Sequence, residues 1–236
     1  MQYLGGKSRI AKEISKIFND NKRESFVSLF CGTCSVESLV DFPNITLNDA
    51  HPYLIACLQD FQKGREFPDV ITEEEYKRIK HEIDKDPALS GFVGFGCSFG
   101  AKWWGGYARQ KKGLNYALTA KKSLGRKFKT LMNAKILNRD YRSVEIPDNS
   151  VVYCDPPYEG TTKYSNSKEF DHAEFWNYTR ELSKNNLVFV SELNAPEDFK
   201  VAWSKDFTRN LDAKTVFVSS EKLFVHESNY DKIRIL

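Results

Sequence analysis

The clearest chemical signal in this chain is a set of four consecutive residues that follows an apolar run. Residues 151–154 read Val-Val-Tyr-Cys and lead directly into Asp155, Pro156, Pro157 and Tyr158. Proline has no backbone N–H and a fixed φ, so a strand cannot continue through this pair and must end in a rigid loop. In an open α/β sheet, ligands bind at that end of the strands. The sequence therefore predicts a site with a carboxylate, a free backbone carbonyl and an aromatic ring.

These groups suit an exocyclic amino group on a flat base. Asp155 and the carbonyl of Pro156 would accept the two amine hydrogens, while Tyr158 stacks on the ring. The alternative for these four residues alone is a surface turn, because proline pairs after strands are common turn chemistry.

Two earlier segments have the types and spacing of a nucleotide site. A predicted strand over residues 26–30 leads into Cys31-Gly32-Thr33-Cys34, and Gly32 allows a sharp turn that points backbone N–H groups and a helix N-terminus at a ligand. A second short strand over residues 45–47 leads to Asp49, whose carboxylate would accept hydrogen bonds from ribose hydroxyls. The alternative for Asp49 is a helix N-cap, since His51 and Pro52 follow it.

Together with the N-terminal run Tyr3-Leu4-Gly5-Gly6-Lys7, these segments resemble amino-methyltransferases that use S-adenosylmethionine, and in particular the Dam-type adenine-N6 DNA methyltransferases. The resemblance runs from Tyr3 to about Ser191. It implies that Tyr3 packs near the cofactor, that Lys7 reaches its methionine carboxylate, and that Asp155 lies between cofactor and base. The cofactor-binding residues it implies are Tyr3, Gly5, Gly6, Lys7, Phe30, Gly32, Asp49, Asp140, Tyr141 and Asp155.

The resemblance also implies the reaction. A methyl group would pass by in-line displacement to the N6 amine of an adenine flipped out of double-stranded DNA, as in the adenine methylation of restriction-modification. The runner-up substrate is the N4 amine of cytosine, which the same acceptors would serve. Two residues depart from the family pattern: Cys34 replaces a glycine of the first cofactor motif, and Glu192 follows Ser191 where Asn is expected. No recognition sequence is carried over.

Composition is that of an ordinary globular enzyme. The chain has 236 residues, 28% of them charged and 41% hydrophobic, which excludes a disordered chain. No apolar run approaches the ~20 residues that cross a bilayer, so we expect a cytoplasmic protein. The five cysteines have no regular spacing, which favours reduced thiols.

Basic residues are concentrated in one part of the chain. Residues 100–142 contain twelve Lys and Arg but only one acidic residue, although the net charge of the whole chain is +3. With the aromatic and glycine-rich stretch that precedes them, these bases favour a nucleic-acid surface over a solvated helix face. The predicted DNA-binding residues are Lys102, Trp103, Trp104, Arg109, Lys111, Lys112, Lys121, Lys122 and Arg126.

The sequence predicts a helix over residues 36–40, a helix that starts at Pro52 and a capping box of Thr72 and Glu75 at the start of a third helix. The order of predicted elements is α/β: a Rossmann-like methyltransferase sheet with a helical, basic insertion for DNA recognition. Residues 1–65 and 134–236 would form the cofactor-binding catalytic domain, and residues 66–133 the insertion. Three other interpretations remain: a thioredoxin-like redox protein built on Cys31 and Cys34, a zinc site, and a nucleic-acid-binding relative without catalysis. The first explains one segment only, and for zinc no second Cys/His pair is present, so no metal is expected.

Overall fold

The protein alternates strands and helices along most of its length. The structure, a computed structural model, describes residue 1 and residues 6–109, 113–160, 170–210 and 216–234. The strands are β1 (Ser25–Ser28), β2 (Asn44–Asn48), β3 (Lys135–Leu137), β4 (Ser150–Cys154), β5 (Leu187–Glu192), β6 (Phe199–Asn210) and β7 (Val216–His226). The helices are α1 (Ala11–Asp20), α2 (Pro52–Gln62), α3 (Glu73–His81), α4 (Pro87–Gly96), α5 (Tyr116–Leu131), α6 (His172–Leu182) and α7 (Glu227–Tyr230).

All seven strands form one sheet in the order β3-β2-β1-β4-β5-β7-β6. The first five strands are parallel, and β7 runs antiparallel to both β5 and β6. The chain order reverses between β1 and β4, and such a switch point is where α/β sheets bind ligands. The predicted Rossmann-like α/β class is confirmed.

Helices cover both faces of the sheet, as the alternation of its side chains requires. On one face Tyr153 of β4 and Phe189 of β5 pack with Phe18 of α1. On the other face Val152 of β4 packs in a cluster with Phe175 of α6. Side chains from one strand thus serve two cores, which fixes the register of β4 and hence the position of the loop that follows it.

The segment between β2 and β3 packs on the edge of the sheet. Leu47 of β2, Leu54 of α2, Phe92 of α4 and Phe128 of α5 belong to one buried cluster. Gly91 allows close contact, because a Cβ there would lie 1.9 Å from the Tyr53 carbonyl oxygen of α2. The described part of residues 66–133 contains helices and no strand, and it shares this core with β2 and α2. Its role as a separate recognition domain stays a prediction.

Several local predictions are confirmed and two need correction. The capping box of Thr72 and Glu75 starts α3, and Pro52 starts α2 with His51 as its N-cap. The strand predicted over residues 26–30 ends at Ser28, and the helix predicted over 36–40 is one 3-10 turn, Glu37–Leu39. The chain after Gly32 folds into tight turns, so no α-helix begins directly after the Gly32 loop. No helix in the described residues is long and apolar enough to span a membrane.

Candidate active site

The loops that leave the parallel strands converge on one edge of the sheet. The chain after β1 carries Gly32, the chain after β2 carries Asp49, and the chain after β4 carries Asp155. Because β1, β2 and β4 are adjacent and parallel, these three positions share that edge. The sheet thus brings the two predicted nucleotide segments and the Asp155 motif together.

Gly32 and Asp49 form a direct link between two of these loops. Gly32 has a φ of +48°, which favours glycine, and its N–H donates to Oδ2 of Asp49 over 3.0 Å. The other oxygen, Oδ1, accepts the His51 N–H at 2.9 Å. Burial raises the pKa of Asp49 against the opposing effect of these two hydrogen bonds. A carboxylate offers about four acceptor positions, so Asp49 retains capacity for a ligand hydroxyl.

Cys34 takes the place of the expected glycine with its side chain turned into the core. Its φ is +57°, a strained value for a residue with a Cβ, and its side chain is fully buried. It belongs to the same cluster as Leu47 and Leu54, so the extra atoms are accommodated on the side of the loop that faces the protein. The substitution leaves the backbone of this loop in the conformation that glycine would favour.

Lys127 of α5 also holds this loop. Its Nζ donates to the carbonyl oxygen of Thr33 and lies 3.1 Å from Oγ of Ser35. Burial lowers the pKa of this lysine. Sequence reasoning counted Lys127 among the bases of a nucleic-acid surface, because only the packing of α5 shows that it points inward.

At the end of β4, Asp155 is paired with Lys7. The Nζ of Lys7 lies 2.8 Å from Oδ1 of Asp155, and the two side chains are 6% and 19% exposed. Pro156 is buried and Pro157 is exposed, so one side of the loop packs against the protein and the other side faces solvent. The resemblance implied that Lys7 reaches a methionine carboxylate; in the structure its ammonium group is paired with the carboxylate of Asp155.

Tyr158 lies beside this pair and is held by a residue that sequence reasoning missed. Its hydroxyl donates to Oε2 of Glu221 in β7 over 2.9 Å, and the Nζ of Lys7 stands 4.6 Å from its ring centroid. Glu221 also lies 3.8 Å from Lys7. No sequence signal indicated Glu221, because it comes 63 residues after Tyr158 in the chain.

Burial and charge act in opposite directions on these groups. Burial raises the pKa of Asp155 and the Glu221 charge adds to this, while Lys7 and the hydroxyl of Tyr158 oppose it. Burial by itself would lower the pKa of Lys7, but the carboxylates of Asp155 and Glu221 outweigh it and raise that pKa. The net result is a charged lysine shared between two carboxylates.

Glu192, the second departure from the family pattern, braces the chain after Tyr158. It is 2% exposed at the end of β5, and its Oε1 accepts the N–H of Glu159 at 2.7 Å. Its other oxygen accepts the N–H of Leu193. An acidic side chain here satisfies two backbone donors, so it supports the wall of the site rather than disrupting it.

The loop after β3 contributes an aromatic surface. The rings of Phe30 and Tyr141 lie 5.4 Å apart, and Tyr141 is 8% exposed. Asp140 is turned to solvent, where it forms an ion pair of 2.6 Å with Arg142. Asn138 donates to the backbone oxygen of Asp49 at 2.8 Å and so ties this loop to the β2 loop. The rings of Phe30 and Tyr141 therefore suit the predicted contact with the cofactor better than the carboxylate of Asp140, which is paired with Arg142 in solvent.

The aromatic pair in the basic segment packs inward, contrary to the predicted stacking surface. Trp104 is 9% exposed, and Trp103 lies against His51, Tyr53 and Phe95 with ring centroids 4.5, 5.4 and 4.6 Å away. Aromatic partners offer these rings apolar contact that solvent does not: α2 and α4 supply them for Trp103, and Tyr76 of α3 for Trp104. The exposed ring of this segment is Phe99, at 72%.

The predicted DNA-binding cations divide into two groups. Arg109 pairs with Glu73, and Lys121 pairs with Glu66 and Asp69. The others in the described chain, Lys102, Lys122 and Arg126, are exposed and form no ion pair with another described residue. Lys111 and Lys112 lie outside the described residues, as do Tyr3 and Gly5 of the N-terminal motif; Gly6 is exposed.

A cavity of about 630 Å³ opens between α3 and the loop that carries Phe99. Aromatic rings and cations share its lining, which includes Phe99, Tyr107, Tyr116, Lys80 and Arg109. This mixture suits a polyanion with flat bases.

The cysteines do not fit redox chemistry. All five are free and buried. A hydrogen bond with Cys34, together with burial, raises the pKa of Cys31, so its reactive thiolate form is disfavoured. Among the described residues, no group of three or more His, Cys, Asp or Glu could hold a metal ion.

Several solved methyltransferase structures are similar to this chain at low identity. The rRNA methyltransferase aviRa from Streptomyces viridochromogenes aligns over 95% of this chain and 86% of its own, with 13% identity and a TM-score of 0.42. A putative RNA methyltransferase from Pyrococcus horikoshii aligns over 93% and 79%, with 10% identity and a TM-score of 0.39. Among the curated proteins none matches the sequence significantly.

A family model settles the relationship. The model of the D12 class N6 adenine-specific DNA methyltransferases matches residues 3–89 and 104–228, which is most of the chain. The match includes Lys7, Gly32, Asp49, Asp155 and Glu221. The chain therefore belongs to the D12 class N6 adenine-specific DNA methyltransferase family, whose reaction moves a methyl group from S-adenosylmethionine to adenine in DNA.

Proposed function

We propose that this protein methylates the N6 amine of an adenine that is flipped out of duplex DNA, with Asp155 and the Pro156 carbonyl as the acceptors of the amine hydrogens. The observation that carries this proposal is the position of Asp155: a largely buried carboxylate at the end of β4, with Tyr158 beside it and the Gly32 and Asp49 loops on the adjacent strands. A paired adenine cannot reach such a recessed group, so the base must leave the helix.

The residues at this edge fit S-adenosylmethionine. Asp49 suits the ribose hydroxyls, because it lies at the end of β2 and keeps acceptor capacity beyond its bonds to Gly32 and His51. Phe30 and Tyr141 suit its adenine ring, because their side chains form an aromatic surface next to that loop. Bound here, S-adenosylmethionine supplies the electrophilic methyl group.

Asp155 and Pro156 prepare the amine for attack. The lone pair of an adenine amine is delocalised into the ring, which makes it a weak nucleophile. Two acceptors on its hydrogens favour a pyramidal nitrogen and hold its lone pair in line with the methyl group. The nitrogen becomes acidic as transfer proceeds and then releases its proton to Asp155 or water. Asp155 must therefore be ionised when the base binds.

Lys7 favours the ionised form of that carboxylate, in a site where burial favours the neutral acid. Its ammonium group lies on Oδ1 of Asp155, and each carboxylate oxygen has two lone pairs, so an amine hydrogen can still be accepted. Tyr158 offers its ring to the flipped base. Stacking of ~1–3 kcal/mol offsets much of the flipping cost, which is roughly a few kcal/mol.

For DNA, the proposal relies on the exposed cations Lys102, Lys122 and Arg126, and on Phe99 at the mouth of the cavity beside α3. Cations bind phosphates without regard to sequence, and an exposed aromatic ring stacks on a base. Trp103 and Trp104 pack against the protein and so hold the loop that carries Phe99.

The direct test is to identify the product. The protein is incubated with genomic DNA that lacks methylated bases and with radiolabelled S-adenosylmethionine, and the DNA is then digested to nucleosides. We expect the label in N6-methyl-2′-deoxyadenosine. Label in N4-methyl-2′-deoxycytidine, or none in DNA, would contradict the proposal.

A further inference from the structure

Among the described side chains of the β6–β7 hairpin, Glu221 is the charged one that contacts Tyr158 of the Asp155 motif. Glu221 lies on β7, which pairs with β5. The last residue of β5, Glu192, is paired with Lys222 of β7. Because β7 runs antiparallel to β5, Glu221 lies one residue beyond the end of β5, at the edge where the site is. The hairpin therefore carries a carboxylate to the active edge of the sheet.

One oxygen of Glu221 meets two groups of the site. Oε2 accepts the Tyr158 hydroxyl at 2.9 Å and lies 3.8 Å from the Nζ of Lys7. The same Nζ is 2.8 Å from Asp155. The Glu221 side chain is 30% exposed, so these contacts are partly shielded from water. Lys205, which faces Glu221 across the hairpin, is engaged with Glu13 instead.

We propose that Glu221 is a positioning residue for methyl transfer: it fixes the ring of Tyr158 through its hydroxyl and shares Lys7 with Asp155. The inference rests on the proposed function, since it assigns Tyr158 to the base and Asp155 to the amine. A tyrosine ring that is held at its hydroxyl loses less freedom when a base stacks on it. A lysine shared by two carboxylates neutralises each of them less than it would neutralise one.

The sharing has a consequence for pH dependence. Asp155 accepts an amine hydrogen only when ionised, and the negative charge of Glu221 raises its pKa. Without that charge Lys7 pairs with Asp155 alone, which lowers the pKa of Asp155. Removal of the Glu221 charge therefore shifts the acid limb of activity to lower pH. Within the described residues, the charged and titratable groups around Asp155 are Lys7, Glu221, Tyr158, Tyr153, Cys154, Glu37 and Asp49, with Glu192 next to Lys7.

The test compares pH profiles of kcat/KM on unmethylated genomic DNA for the wild type, Glu221→Gln, Glu221→Ala and Tyr158→Phe. Asp206→Asn is the matched control, because Asp206 is an exposed carboxylate on the same hairpin that contacts Ser220 and no residue of the site. Glu221→Gln keeps an acceptor for Tyr158 but loses the charge. We expect its acid limb at lower pH, with kcat/KM on the plateau within about threefold of wild type, since the hydrogen bond is retained.

Glu221→Ala loses the charge and the acceptor, so its acid limb shifts in the same direction and its plateau falls about tenfold, the worth of one hydrogen bond. Tyr158→Phe shifts the limb the opposite way, since the hydroxyl stabilises ionised Asp155. Circular dichroism of each variant shows whether it folds.

Acid limbs that coincide for Glu221→Gln and Asp206→Asn would overturn the inference, as would an unchanged plateau in folded Glu221→Ala. The two failures are distinguishable. If wild type labels adenine and Asp155→Asn is inactive while Glu221 variants behave as wild type, only the role of Glu221 is wrong. If wild type does not label adenine, the proposed function fails first.

Discussion

Two opposing effects meet at the single carboxylate of Asp155. Burial raises its pKa, which favours a neutral acid, and the ammonium of Lys7 at 2.8 Å lowers it again. The ionised form, which Lys7 favours, is a hydrogen-bond acceptor at a recessed position, where the low dielectric constant strengthens its hydrogen bonds. On an exposed surface the same ion pair with Lys7 would have only a small effect on the pKa of Asp155 and on stability, because water screens it.

We expect Asp155→Asn to lose methyl transfer by at least about 100-fold in kcat while the fold persists, because the amide places a donor where an acceptor is needed. Initial rates with labelled S-adenosylmethionine measure this. Asp148→Asn is the control, since Asp148 is exposed on the turn before β4 and is far along the strand from the site. Near-normal turnover of Asp155→Asn would show that the amine is held by other groups.

The pH dependence of the wild type follows from the same residue. Burial raises the pKa of Asp155 above the ordinary value of 3.8, and only the ionised form accepts the amine. Activity should therefore fall on the acid side at a higher pH than an ordinary aspartate would give. An acid limb at or below the ordinary value would mean that another group controls it.

Helix α5 shows how one element serves two purposes. Its inner face carries Lys127 to the loop after β1, while Lys122 and Arg126 lie exposed on the outer face. The element that looks like a uniform basic stretch in sequence is divided by its own packing. Position on the helix, and not charge, decides what each lysine does.

Lys127→Met should weaken S-adenosylmethionine binding roughly tenfold, or about 1.4 kcal/mol, because the loop around Thr33 loses its donor. Its effect on the salt dependence of DNA binding should be small, since its ammonium is not at the surface. Equilibrium dialysis with labelled cofactor measures the first quantity. Lys129→Met, an exposed position on the same helix, serves as the control; equal cofactor affinity for both variants would exclude a role of Lys127 in the loop.

The 3-10 turn behind the first cofactor loop carries a buried acid. Glu37 is 2% exposed and accepts a hydrogen bond from Ser28 at 2.8 Å. Burial raises its pKa from 4.5 to about 7. Folding therefore favours the protonated form: this stability is fully present below pH 4.5 and is lost as the pH rises through about 7.

Glu37→Gln should accordingly remove part of the pH dependence of the free energy of unfolding. Relative to Glu37→Gln, the wild type should lose at most about 3 kcal/mol between pH 4.5 and pH 7. Urea titrations at several pH values measure the difference, with the exposed Glu24→Gln as control. A difference between wild type and Glu37→Gln that does not vary with pH would mean that Glu37 is ionised throughout.

Two sets of side chains on the surface of the protein are available for contact with DNA. The two sets that the structure leaves exposed are the cations Lys102, Lys122 and Arg126, and the aromatic ring of Phe99 beside the cavity. They contribute to binding in different ways, because phosphate contacts release counterions and stacking does not.

Replacing the three cations by Gln should reduce the log–log salt slope of DNA binding by about 0.9 for each true phosphate contact. Phe99→Ala should cost ~1–3 kcal/mol of affinity per stacked base at an unchanged slope. Titrations at several salt concentrations separate the two. The control is Lys184→Gln, at the turn before β5 and thus at the opposite edge of the sheet; a slope equal to that of wild type in the triple variant would place the DNA elsewhere.

Local chemistry determined much of this molecule in advance. An apolar run stopped by two prolines could only be a strand with a rigid loop at its end, and β4 with Asp155 is that. The capping box at Thr72 and the proline at the start of α2 placed two helix beginnings for the same reason: each depends on residues within one turn. The order of such segments was enough to predict the α/β class and the edge at which Gly32, Asp49 and Asp155 gather.

Contacts between distant segments were decided by the tertiary structure alone. Lys127 reaches Thr33 across 94 positions, and Tyr158 finds Glu221 across 63. Trp103 and Trp104 looked exposed in a stretch rich in glycine and lysine, yet Trp103 packs against rings of α2 and α4, and Trp104 packs against Tyr76 of α3. Whether a side chain meets solvent, a loop or a carboxylate depends on which elements pack against it, and local sequence does not specify that. The sequence therefore predicts which side chains the site contains. Their neighbours are decided by the tertiary fold, because Glu221 comes from β7 and Lys127 from α5.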